Sequence, residues 1–236
     1  MGAGMKFFWN KKTAQVSPEA SERAPVQPPG LDDARKLFQQ KEFIQSLEAA
    51  SQYLASQRKG IQHEANNLVA LNHFKLGNHE QAAYLFAALA QERNDPADWF
   101  NLALSATLND EIDKGRQAFE KAIALYKAEA GTEFLKIPSL TFYYMQSLKK
   151  MKRFDLAFEQ LQVLGCIFAE AKLTEGHFLY AKALPLFQKV IGASREVLSQ
   201  LDLDKVKAWL SNLRQSMDHR GHRYLLEFER SLNYAS

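Results

Sequence analysis

The residues of this chain that could carry chemistry are few and scattered. His219 and His222 are the most closely spaced of its six histidines, but a zinc site needs four clustered ligands, and no cysteine lies near to complete the set. Asp202 and Asp204 form a carboxylate pair, yet they stand where a helix should begin. Acidic groups there cap free N–H groups and complement the helix dipole. The single cysteine, Cys166, lies within Val163-Leu164-Gly165-Cys166-Ile167-Phe168, an apolar setting that predicts a buried, inert thiol rather than a nucleophile. His73 falls at an inward-facing helical position, which predicts a packed histidine rather than a general base. The sequence contains no Gly-rich phosphate loop, no His-Glu-x-x-His and no Gly-x-Ser-x-Gly. The expectation is a protein without catalytic residues, metal or cofactor, whose work is recognition.

Composition bounds the class. The 236 residues are 46% hydrophobic and 24% charged, with a formal net charge of +3 and a pI near 8.8. These are ordinary values for a folded protein, and the mild basicity demands neither nucleic acid nor membrane. One cysteine excludes an internal disulfide framework and fits a reducing compartment. The apolar part of residues 1–12 is too short for a secretory signal, and no stretch reaches the roughly 18 apolar residues of a membrane span. Lys6 stands where a myristoylation signal needs Ser or Thr. A cytoplasmic location is expected.

Residues 13–30 hold Pro18, Pro25, Pro28 and Pro29 among Ser, Glu, Gln and Ala, a composition that predicts a disordered or extended linker. From Leu31 onward the pattern becomes long amphipathic runs without strand-like alternation, so the fold class is all-α. Helix pairs are expected at 31–40 and 42–58, 62–76 and 79–93, 97–109 and 111–128, and 138–151 and 153–171. Gly60, Gly77-Asn78, Asn94-Asp95-Pro96 and Asn109-Asp110 read as the breakers between them. A longer link runs from Gly131 to Pro138. Beyond residue 172 the register is lost, with helices expected at 174–192, 194–201, 204–219 and 222–234, the first kinked or split by Pro185.

Within this series one spacing recurs. Ser46-Ala50-Tyr53, Ala82-Phe86-Leu89, Gly115-Phe119-Ala122 and Ala157-Leu161-Leu164 each place a small residue four positions before a second residue and seven before a third. Their first members are 36, 33 and 42 residues apart. Such a period means stacked helical hairpins, none of which buries its apolar face alone.

The hairpins resemble the tetratricopeptide repeat (TPR) family, whose unit is about 34 residues long. The third pair matches best, with Trp99, Leu102, Ala103, Phe119 and Ala122, and with Gly115 keeping the second helix small. The second pair supplies Val69, Ala70, Gly77, Ala82 and Phe86, and the first Ala34, Phe43, Ser46 and Ala50. The fourth supplies Tyr144, Phe154, Ala157 and Leu161, with Met145 where a small residue is usual. The resemblance covers residues 31–172 as four hairpins, followed by C-terminal helices over 173–236. It implies a helical solenoid whose first helices line a concave groove, here Arg35, Phe38, Asn67, Leu71, Phe74, Phe100, Leu104, Phe142, Gln146 and Lys149. The family's carboxylate clamp uses Lys, Asn and Arg side chains. These positions are mostly aromatic or aliphatic, which favours an apolar helix or extended segment of another protein. The same residues would equally serve as core if the chain's own C-terminal helices or N-terminal segment cover them.

Two further features lie outside the repeats. Met5-Lys6-Phe7-Phe8-Trp9-Asn10-Lys11-Lys12 reads as a docking peptide. Phe7, Phe8 and Trp9 would bury apolar area in a partner groove or, peripherally, at an anionic membrane surface whose headgroups Lys11 and Lys12 would meet. Asp218-His219-Arg220-Gly221-His222-Arg223 reads as a solvated basic turn between helices, with nucleic-acid contact as the minor alternative. The function read from sequence is an adaptor, chaperone-like binder or assembly subunit. A self-associating homo-oligomeric scaffold is the first alternative, and a nucleic-acid-associated protein acting through the C-terminal basic turn the second.

Overall fold

A computed structural model describes residues 29–128, 136–172, 174–181 and 184–233. Every regular element among them is a helix: α1 Pro29–Gln39, α2 Phe43–Ser51, α3 Lys59–Lys75, α4 His79–Arg93, α5 Pro96–Leu108, α6 Ile112–Ala128, α7 Ile137–Lys150, α8 Phe154–Ala171, α9 Gly176–Ala181, α10 Phe187–Ala193, α11 Arg195–Ser199, α12 Leu203–Gln215 and α13 His219–Asn233. The chain divides into two compact units, residues 1–122 and 123–236, the division falling inside α6.

In the first unit α1 to α6 form three helical hairpins. Leu31 and Ala34 of α1, Ala50 of α2 and Ala65, Leu68 and Val69 of α3 make one buried cluster, with Phe38, Leu47 and Tyr53 packed against it. Polar groups pin the same place. Ser46 Oγ donates to the Ala34 carbonyl at 2.8 Å. Asn72 Nδ2 donates to Ser46 Oγ at 2.8 Å and to the Leu68 carbonyl at 2.9 Å. Between α3 and α4 Gly77 takes φ 85, a left-handed turn that glycine enters without steric penalty. Asn94 ends α4 in the left-handed region, and Asp95 caps α5 by accepting from the Ala97 N–H at 2.8 Å. Pro96 follows at the first helical position, where its missing N–H leaves nothing unsatisfied. Apart from half-buried Trp99, all of α5 is buried, which makes it the interior helix of this unit.

At one of the recurring small residues, Gly115, two helices come too close for a side chain to fit. A Cβ on Gly115 of α6 would lie 2.2 Å from Thr107 Oγ1 and 3.1 Å from the Ala103 carbonyl oxygen of α5. Phe119, one turn on, meets Phe100 with ring centroids 6.3 Å apart. Ser46, Ala82 and Ala157, the equivalent positions of the other hairpins, are all buried.

In the second unit α7 and α8 make the fourth hairpin, around buried Leu140, Tyr144, Met145, Ala157, Leu161 and Leu164. The following helices continue this packing. Trp209 of α12 meets Phe158 of α8 edge-on at 5.5 Å, and Phe187 of α10 bridges Phe168 at 5.0 Å and Tyr224 at 6.0 Å. Alongside α7, Lys149 Nζ donates to the Ala193 carbonyl at 3.3 Å. Two turns earlier, Lys189 Nζ stands 5.8 Å from the centroid of Phe142. The contacts advance together, so α10–α11 runs beside α7 in the same sense.

Several boundaries differ from the sequence reading. Helix α2 ends at Ser51 rather than near 58. Its last turn tightens through i→i−3 bonds from Tyr53 and Leu54, and Gln62 Nε2 takes up the Leu54 carbonyl at 3.0 Å. Gly60 is therefore not a terminator but lies in the first turn of α3. The expected 174–192 helix is split into α9 and α10 around Pro185. The basic run is also not a turn: α13 begins at His219, because Asp218 starts the helix. Its carbonyl accepts from His222 N–H at 2.8 Å, and its carboxylate accepts from Gly221 N–H at 2.8 Å, Thr174 N–H at 2.9 Å and Thr174 Oγ1 at 2.7 Å. Cys166 is exposed rather than buried. The inward positions of α8 around it are Leu164, Gly165 and Phe168, which turns residue 166 outward despite its apolar neighbours.

Two substitutions test this packing. Gly115→Ala is expected to destabilise by about 1–3 kcal/mol through overpacking, read as a lower urea midpoint at unchanged slope. An unchanged midpoint would mean that α5 and α6 can separate without loss. Asp218→Ala is expected to lose about 1–2 kcal/mol and to speed hydrogen exchange at the Thr174 and Gly221 amides before that of α8.

Candidate interaction face

The ten groove positions fall in both units. Arg35, Phe38, Asn67, Leu71, Phe74, Phe100 and Leu104 belong to the first, and Phe142, Gln146 and Lys149 to the second. Leu71, Phe74, Phe100, Leu104 and Phe142 are buried and offer no accessible apolar floor. Phe38, half-buried, stacks edge-on against Phe43 at 5.5 Å. Apart from Phe38, the groups that keep surface are polar. Arg35 pairs with Asp32 and Glu64, and Asn67 and Gln146 are half-buried. Lys149 Nζ lies 3.5 Å from Glu196 Oε2. Phe7, Phe8, Trp9, Lys11 and Lys12 lie outside the described residues.

A charged cluster that the sequence did not reveal sits where α3, α4 and α5 meet. His63 Nε2 is 2.8 Å from Glu92 Oε1. Arg93 reaches Asp95 at 3.7 Å and Asp98 at 3.4 Å. Asp98 is only 2% exposed, and its Oδ2 has no hydrogen-bond donor. Burial pushes its carboxyl up to about 6, assisted by the Asp95 charge and opposed by Arg93 and His63. The only sequence signal was an acidic residue in the first turn of α5, which ordinarily reads as a solvated dipole partner. His73 is half-buried, with burial holding its ring below the usual histidine range and its Nδ1 3.5 Å from Asn78 Nδ2.

Among the described residues no group of three or more His, Cys, Asp or Glu side chains is placed to hold a metal ion, and no helix is long and apolar enough to cross a membrane. Of the ten candidate positions, those that keep surface are Phe38 and the polar Arg35, Asn67, Gln146 and Lys149.

The linkage at Asp98 is directly measurable. Its carboxyl is raised from 3.8 to about 6, so the folded state holds the proton more tightly than the unfolded chain. Stability is then lost as pH rises from about 4 to 6, and the loss is constant above. Asp98→Asn is expected to be more stable than the native chain by about 1–3 kcal/mol at pH 7.5, with the gap narrowing towards pH 4. A pH-independent gap would assign the effect to packing instead.

No family model matches the chain, and no curated protein matches its sequence. Solved structures do. One is a glutamine-to-methionine variant of a candidate kinesin light chain of Podosopora anserina with nearly identical TPR-like repeats. It superposes with a TM-score of 0.56 at 15% identity, over 80% of this chain and 92% of that one. A second crystal structure of those repeats gives 0.53 at 14% identity, over 87% and 93%. Both shares exceed what residues 31–172 alone amount to, so the likeness runs into the C-terminal helices. The stacked helical hairpins of this chain have the fold of TPR-like repeat proteins.

Proposed function

We propose that the chain is a protein-interaction scaffold, acting as an adaptor or assembly subunit in a larger complex, without catalytic activity of its own. The observation that carries this reading is the stack of hairpins itself. A repeat array presents an extended surface of successive first helices, the arrangement by which such arrays take up segments of other chains. First helices keep polar side chains half-exposed in each unit, Arg35 and Asn67 in the first and Gln146 and Lys149 in the second. Burial of Leu71, Phe100 and Leu104 favours recognition through hydrogen bonds and charge over capture of a large apolar segment. The N-terminal Phe7-Phe8-Trp9 segment is a second attachment point, and two weak contacts on one chain give avidity when the linker spans them. The cytoplasm is the proposed setting.

Affinity purification of the tagged full chain from cells that express it is expected to recover a partner in stoichiometric amount. The yield should fall when Arg35 and Lys149 are both replaced by Glu, and fall further when residues 1–12 are removed. Recovery of the chain alone as a concentration-dependent oligomer would replace the adaptor with a self-associating scaffold, and a monomer without partners would end both readings.

A further inference from the structure

Beyond the scaffold role, we propose that the α7–α8 turn and the start of α12 form a contact face for an anionic lipid bilayer. The four hairpin turns share one backbone device. Lys41, Gly77, Asp110 and Lys152 recur at intervals of 36, 33 and 42 residues, and each takes a positive φ between 57 and 85. The turn accepts Gly, Asp or Lys at this position, so the fold itself does not call for charge. Yet the fourth turn is a run of cations, Lys149-Lys150-Met151-Lys152-Arg153. Lys149 and Lys150 close α7, where they complement its dipole. Lys152 and Arg153 have no such reason, because Arg153 stands at the N-cap of α8, the end that disfavours a cation. Lys150, Lys152 and Arg153 are exposed, and Lys150 and Lys152 make no ion pair among the described residues.

Helix α12 brings an apolar group to the same end. Lys205 Nζ lies 3.9 Å from Asp155 Oδ1, Trp209 meets Phe158, and a Cβ on Gly165 would lie 3.6 Å from Leu213 Cδ1. These contacts advance together, so α12 runs beside α8 in the same sense and its first residue, Leu203, stands level with the turn. Leu203 is 51% exposed, and Met151, among the cations, is half-buried. Three acids share this end, each with a local role. Asp155 faces Lys205, Asp202 caps α12 through the Lys205 N–H at 2.9 Å, and Asp204 complements the α12 dipole. Cations around an exposed leucine suit a bilayer surface, where they meet anionic headgroups while the apolar side chain enters the acyl boundary. A nucleic-acid strand is held in a groove by stacking aromatics, and the rings at this end, Phe154 and Phe158, are half-buried and buried.

The test is co-sedimentation of the full chain with vesicles of phosphatidylcholine alone and of equal parts phosphatidylcholine and phosphatidylserine. Binding is expected with the anionic vesicles and not with the neutral ones. Lys150→Glu combined with Lys152→Glu is expected to weaken it by about tenfold or more, and Leu203→Ser by about threefold to tenfold. Lys121→Glu, an exposed cation on α6, should leave it unchanged. Asp204→Asn should strengthen it about twofold to threefold, a gain that a misfolded variant could not produce. Equal binding to neutral vesicles would overturn the proposal. Anionic binding untouched by the double lysine variant would overturn it in favour of residues 5–12. A single-stranded oligonucleotide that binds more tightly than the vesicles and depends on Lys150 and Lys152 would overturn it in favour of nucleic acid. A chain that recovers a stoichiometric protein partner but ignores anionic vesicles keeps the scaffold role and loses this face.

Discussion

The close approach of α6 to α5, where a Cβ on Gly115 would meet Thr107 and the Ala103 carbonyl, is the constraint from which the rest of the arrangement follows. Backbones can come this near only where one side chain is absent. Once they do, the aromatic one turn later fills the gap beside them, as Phe119 does against Phe100. The other hairpins keep the equivalent position small with Ser46, Ala82 and Ala157, and each of those positions is buried. Local spacing, helix contact and repeat architecture are one fact seen at three scales. A bulkier residue at any of them would splay a hairpin and alter the surface that its first helix presents.

The polar interior has a different character from this apolar one. Ser46 and Asn72 join three helices through bonds of 2.8 to 2.9 Å, which fixes the register of the first hairpin against the second. Asp98, by contrast, is buried opposite a guanidinium at 3.4 Å with no donor on Oδ2, and a buried pair of this kind contributes little net stability. The first network locks geometry. The second leaves the junction of α3, α4 and α5 sensitive to protonation.

What could be read in the sequence was whatever depends on neighbours along the chain. Gly77, Asn94-Asp95-Pro96 and the four small-residue spacings all act within one or two turns, and their structural roles follow directly from residue type. What could not be read depends on partners distant in sequence. Thr174 and Asp218 are 44 residues apart, yet their bonds decide that His219 to Arg223 begin a helix instead of forming a turn. Gln62, from the next helix, takes up the carbonyl left by the early end of α2. The ten candidate positions lie on α1, α3, α5 and α7. Their burial was illegible, because whether a side chain on an amphipathic face meets solvent or a neighbouring helix is set by tertiary packing.

The outward turn of Cys166 has its own consequence. With one thiol in 236 residues and that thiol exposed on α8, no disulfide can form within these residues. A disulfide at Cys166 would therefore tether α8 to a second thiol outside these residues and could not staple their fold from within. By the same logic a maleimide dye or spin label attaches at one defined place without any residue being removed first. The molecule comes with a built-in address for a reporter, on the helix against which α12 packs.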